Sequence, residues 1–277
     1  MTVRDHAGAV LAGVAAGFAG GLFGVGGGLV LVPMLTGFFR LTQHQAHGTS
    51  LAAIGVAALA STIVYAAHGN VAWATAALVA IGSVATARLG ARWAARISKR
   101  ALARWFAVLL VVVAVRMLTR SAAAPGPDAG HAMWGHGMAG LSFDLVLGAA
   151  VGLLAGFMGV GGGLIAVPAF TMILGMSQHA AQGTSLAVIL VTAPVGAFEH
   201  GRHGNLVARV VPALALGAAV GGPLASSLAQ GLPQLVLARS FALFLLANAI
   251  YTWLRAARQE DSNRRNSGVL GSPDPAR

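Results

Sequence analysis

The decapeptide GVGGGLVLVP at residues 24–33 returns as GVGGGLIAVP at residues 159–168. The shift, 135 residues from position 24 to position 159, stays constant along the chain. QHQAHGTSL at 43–51 is answered by QHAAQGTSL at 178–186, and His68-Gly69-Asn70 by His203-Gly204-Asn205. Arg104 pairs with Arg239 and Phe106 with Phe241 in the same register. The chain is therefore a duplicated unit, and its fold has to place two copies of one pattern against each other. A stretch rich in Ala, Gly, Pro and His joins the copies and reads as a surface loop. The division is a first repeat at 1–120, a linker at 121–142, a second repeat at 143–256 and a tail at 257–277.

Each copy breaks into about five apolar segments. They cover 8–23, 29–40, 46–67, 72–90 and 103–119, then 143–158, 164–175, 181–200, 206–228 and 237–254. The chain is 57% apolar and only 9% charged, with a mean hydropathy of +0.76. A soluble domain carries about 25% charged residues to cover its surface. Lipid removes that need, so the composition points to a membrane protein. Most segments have the roughly 20 residues that cross a bilayer. The second segment of each copy does not, since twelve helical residues rise only about 18 Å. Each of these short segments follows a glycine cluster and is expected to be a half-helix. The expected fold is all-α: a polytopic membrane bundle of two inverted repeats, about five membrane segments each.

An odd number of segments per copy inverts the second copy, and the basic residues test this. With a cytoplasmic N-terminus, the connection holding Arg92, Arg96, Lys99, Arg100 and Arg104 lies inside. Its counterpart at 227–239, holding only Arg239, lies outside. The connection at Val64–Val71 has no basic residue and lies outside, whereas its counterpart carries Arg202 and Arg209 inside. The tail, with Arg255, Arg258, Arg264 and Arg265, also falls inside. The bias changes sign between the copies, as inversion requires. The net charge of +11 is thus explained by topology and not by nucleic acid. The absence of cysteine excludes disulfides and thiolate chemistry.

Three constellations could hold a ligand. Gly26, Gly27 and Gly28, with Gly161, Gly162 and Gly163, precede the half-helices. Backbone N–H groups at such helix starts favour an anion; close helix packing is the plainer alternative. Gly48-Thr49-Ser50 and Gly183-Thr184-Ser185 are expected to open the long helices that follow. There Thr49, Ser50, Thr184 and Ser185 would cap free N–H groups or bind a substrate oxyanion. His44 and His179 occupy equivalent positions and could couple proton movement to transport, or serve as polar caps. The His-Gly-Asn pair reads as turn chemistry. Glu199, beside Arg202, reads as a surface ion pair. His131, Met133, His136 and Met138 cluster in or beside the linker without a recognised metal-ligand spacing, so no metal or other cofactor is expected.

With GFAGGLFGVGGGLVLVPML and QHQAHGTSL in the first half, and GLLAGFMGVGGGLIAVPAF and QHAAQGTSL in the second, the sequence resembles the TauE/SafE sulfite exporters. The resemblance covers nearly all of the chain outside the linker and tail. It implies secondary transport of a small anion, often sulfite or an organosulfur compound, across a bacterial inner membrane. One departure from symmetry is His47 against Gln182. The reading is a transporter whose partners are a small anion and the bilayer, working by alternating access, and not an enzyme. A passive channel is the rival. An intramembrane hydrolase using Ser50 or Ser185 is weaker, because neither serine sits in a G-x-S-x-G elbow. Oligomeric state is unconstrained by these features.

Overall fold

The computed structural model describes residues 3–94, 99–119, 138–158 and 162–269. Ten α-helices lie within them: α1 (Val3–Phe23), α2 (Gly28–Gly37), α3 (Gln43–Ala67), α4 (Trp73–Ala94), α5 (Lys99–Thr119), α6 (Met138–Met158), α7 (Gly163–Met172), α8 (Gln178–Arg202), α9 (Val211–Gly231) and α10 (Gln234–Val269). No strand occurs among the described residues. Six helices are long and apolar enough to cross a membrane. Bulky apolar side chains on the outside, such as Ile63, Ile81, Phe198 and Leu243, suit a lipid-facing surface.

The two halves interlock. α1 packs along α9 of the other half, and α4 along α6 in the same parallel sense. These are counterparts under the sequence repeat. The crossings are close because glycines line them. A Cβ at Gly17 would fall 2.6 Å from the Ala218 carbonyl oxygen, and one at Gly148 would fall 2.5 Å from Val79 Cα. Lipid gives helices no hydrophobic drive to associate, so such backbone-to-backbone approach supplies the dispersion contact that does. α3 and α8 pack against each other at the centre, and α5 pairs with α10.

α2 and α7 have ten residues each, about 15 Å of helix, so they are the expected half-helices. Their prolines lie inside the helix and not at its end. In the first half, Phe39 beyond α2 packs near Gly8 at the start of α1. The α1–α2 pair is thus a hairpin that brings Phe39 back beside the start of α1. Both turns that follow are built alike. Leu41 N–H donates to Leu35 O at 3.1 Å, and Met176 N–H to Phe170 O at 3.0 Å. Thr36 and Thr171 each donate back to the carbonyls three and four residues earlier in their half-helix.

Gly48-Thr49-Ser50 and Gly183-Thr184-Ser185 do not open their helices. Thr42 and Ser177 are the N-caps, accepting from Gln45 N–H and Ala180 N–H, so the Gly-Thr-Ser motifs sit nearly two turns inside. Thr42 also forms a capping box with Gln45, which fixes that start. The polar run QHQAH looked like a connection but is helix.

Gly221→Ala should lower the thermal midpoint of the purified protein, because the added methyl meets the Val14 carbonyl oxygen. Overpacking of this kind costs about 1–3 kcal/mol. Gly37→Ala, with nothing within 4 Å, should leave the midpoint unchanged or slightly higher.

Candidate functional site

The first glycine cluster forms a buried turn between α1 and α2, with Gly24, Gly26 and Gly27 at φ of 71°, 73° and 81°. That left-handed backbone is closed to ordinary side chains. The turn lies at mid-depth. A Cβ at Gly26 would fall 2.7 Å from Ile54 Cγ2 and 3.3 Å from Ile189 Cδ1. Ile54 and Ile189 are repeat counterparts near the middle of α3 and α8, which have 25 residues each. From the second half, a Cβ at Gly163 would fall 2.8 Å from Val25 Cα and 2.9 Å from Gly24 O. The start of α7 therefore abuts the turn that starts α2. Gly28 is buried beside them, and Gly161 lies outside the described residues. Gly162 differs from its counterpart Gly27: its φ is −65°, and a Cβ there would fall no nearer than 3.7 Å from Val151 and 3.9 Å from Ala155.

All four hydroxyls of the Gly-Thr-Ser motifs are buried. Thr184 Oγ1 accepts from Ala72 N–H at 3.0 Å, and Thr49 Oγ1 accepts from Val207 N–H at 3.0 Å. These bonds are counterparts, and each runs from a connection in one half to a helix in the other. Ser185 Oγ donates to Gly24 O at 2.7 Å, tying α8 to the glycine turn. Ser50 Oγ donates locally to His47 O at 2.9 Å. The structure thus brings Gly26, Gly28, Gly163 and Ser185 together at the centre. It places Thr49 and Thr184 nearer opposite ends.

The histidines separate. His44 is exposed at one end of the bundle. His179 is buried at the other, its Nε2 2.9 Å from Ala229 O. His68 and His203 cap the ends of α3 and α8, followed by Gly69 and Gly204 at φ of 70°. Glu199 is an ion pair as expected, but with Arg88 at 2.8 Å and not with Arg202. Its side chains are 68% and 37% exposed, so it contributes at most about 1 kcal/mol. His131, Met133 and His136 lie outside the described residues.

A family model for the sulfite exporter TauE/SafE proteins matches residues 2–117 and 145–273. The chain belongs to that family. It is 31% identical over 190 residues to a "Probable membrane transporter protein" of Xylella fastidiosa, covering 68% of this chain and 71% of that one. It is 28% identical over 202 residues to the "Probable membrane transporter protein YunE" of Bacillus subtilis, covering 66% and 73%. A "Probable membrane transporter protein" of Haemophilus influenzae is 28% identical over 183 residues, with 64% and 66% covered. No solved structure matches the chain. The TauE/SafE family and these relatives are membrane transporters and not enzymes, so the hydrolase reading of Ser50 and Ser185 is dropped.

Sequence reasoning passed over several polar residues of this TauE/SafE chain. Asp144 is 4% exposed and accepts from Thr75 Oγ1 at 2.9 Å across the α4–α6 contact. An acid near the start of an apolar run was the available signal. Tyr65 is fully buried, its hydroxyl 2.9 Å from Gln182 Oε1 and 3.1 Å from Gly21 O. Gln182 Nε2 and Ser61 Oγ are buried with no hydrogen-bond partner among the described residues. Such an unmet donor costs about 1–3 kcal/mol.

Thr184→Val and Thr49→Val each leave a connection N–H without its acceptor. Each should lower the thermal midpoint, at about 1–3 kcal/mol apiece. The double variant should be nearly additive, since the two bonds share no partner. Thermal unfolding of the two single variants and the double checks this.

Proposed function

We propose that this membrane transporter is a secondary carrier for a small anion, sulfite or an organic sulfonate, in a bacterial inner membrane. The two repeats, 1–120 and 143–256, are inverted copies that alternate access by moving against each other, with both termini in the cytoplasm. The observation that carries the reading is the reciprocal pair of bonds, Ala72 N–H to Thr184 and Val207 N–H to Thr49. Each half docks on the other through the same residue of the same motif. Two such equivalent contacts at opposite ends are what a two-state carrier needs, since one can part while the other holds.

The ends differ in burial, which also favours a carrier. Residues 178–189 at the start of α8 are buried throughout. At the start of α3, Gln43 and His44 are exposed and Gln45 and His47 half-buried. One end is packed shut while its counterpart is looser. Substrate would bind at mid-depth, where the N-terminal starts of α2 and α7 meet with Gly26, Gly27, Gly28, Gly162 and Gly163 around them. Neutral donors and helix starts hold an anion without a fixed cation and release it readily. Proton coupling through His44 or His179 is a further element of this proposal.

The second reading, a passive anion channel, shares the family and the helices. The purified full chain in liposomes should show saturable counterflow of labelled sulfite. It should also accumulate sulfite when a proton gradient is imposed. Flux that never saturates and shows no counterflow would select the channel.

A further inference from the structure

A group of neutral hydrogen-bond donors lies beside the glycine turn, on the side packed shut. Gln182 is fully buried, and its Cα would stand 2.7 Å from a Cβ at Gly24. Its Oε1 accepts from Tyr65, while its Nε2 carries two protons and has no partner among the described residues. Ser61 is one turn before Tyr65 on α3, fully buried, and its Oγ has no partner either. A serine inside a helix usually donates to the carbonyl one turn back; Ser61 does not, so its proton is available. Gly222 stands next to it, a Cβ there falling 2.6 Å from Ser61 Oγ. The neighbouring acceptor Gly21 O is already met by Tyr65 at 3.1 Å and by Ser226 at 3.4 Å.

We propose that Gln182 and Ser61 are the substrate-contacting donors of the carrier, holding the oxygens of a compact oxyanion beside the Gly24–Gly28 turn, while Tyr65 spends its one proton fixing the Gln182 amide. The proposal rests on the transporter reading above. The group has spare protons, and the carbonyl and amide oxygens within it are taken, so its ligand must be an acceptor. None of the residues is charged, which suits an anion held weakly between turnovers. An anion reaches the group when the Gly21–Gly222 crossing parts, because the glycines leave no room there while it is closed.

The second half does not repeat the group. The counterparts of Tyr65, Gln182 and Ser61 are His200, His47 and Gly196. The donors are therefore a property of this one face. The glycine motif, present in both halves, does not predict them. Leaving buried protons unmet lowers stability, so their retention needs a reason, and a ligand that meets them supplies one.

The test uses the purified full chain and calorimetric titration with sulfite, with sulfate and with acetate, besides thermal unfolding without ligand. Gln182→Glu keeps the size and removes the two donor protons. Tyr65→Phe removes the hydroxyl that orients the Gln182 amide. Ser61→Ala removes a hydroxyl that has no partner among the described residues. For the anion that the wild type binds, affinity should fall about tenfold or more in Gln182→Glu, and severalfold in Ser61→Ala and in Tyr65→Phe. Ser61→Ala should unfold at the wild-type temperature or above without ligand, so its loss of binding is not a loss of fold. Wild-type affinity retained in both Ser61→Ala and Gln182→Glu would overturn the donor group and leave the carrier reading intact. A wild type that neither binds nor moves any of the three anions would overturn both.

Discussion

Hydrocarbon offers no hydrogen bonds, so a chain that breaks its helix inside a membrane must wrap the broken backbone in protein. This chain breaks twice, at the glycine clusters, and most of its architecture follows from that. The turn at Gly24–Gly28 is buried under α3 and α8, against Ile54 and Ile189, and its Gly24 carbonyl is met by Ser185. Near the ends of the half-helices, Thr36 and Thr171 donate back to carbonyls one turn earlier. To cover both breaks, the halves cannot stand side by side as separate domains. Each lends its first and third long helices to the other, along crossings that glycine makes narrow.

Duplication places equivalent bonds at both ends, yet the two ends are not alike. Gly27 is held at φ 81° while Gly162 sits in ordinary helical backbone. The start of α8 is sealed and the start of α3 is looser. Tyr65 meets Gln182 at the sealed end, where the counterparts at the other end are His200 and His47. Arg40, at φ 53°, takes the place that Gly175 takes at φ 69°. A pseudo-symmetric frame with unequal ends suits the alternating-access carrier proposed above. The unequal residues are where this chain's own substrate preference would be written.

Much of this was legible from residues alone. The constant register announced the repeat, and the glycine clusters followed by short apolar runs announced the half-helices. The density of apolar residues announced the membrane. Helix starts were less legible. QHQAH and QHAAQ are polar enough to pass for connections, so Gly48-Thr49-Ser50 and Gly183-Thr184-Ser185 were expected at helix starts. They lie inside helices because Thr42 and Ser177 cap first. Long-range partners were not legible at all. Thr184 answers Ala72, and Glu199 answers Arg88, across more than a hundred residues. Only the interlocking of the halves makes those pairs neighbours. Tyr65 and Ser61 carry no motif, and Gln182 stood out only as the counterpart of His47; what the three form together appears only when buried protons are matched to acceptors.

The central claim is that the sealed end must part for transport. The chain has no cysteine, so engineered thiols would be unique. Ala72 and Thr184 meet at that end, Ala72 N–H 3.0 Å from Thr184 Oγ1. The measurement is sulfite flux in liposomes by the Ala72→Cys, Thr184→Cys double variant, oxidised and then reduced. The account predicts that oxidation closes a disulfide and stops flux, and that a reductant restores it. Undiminished flux through fully cross-linked protein would contradict it.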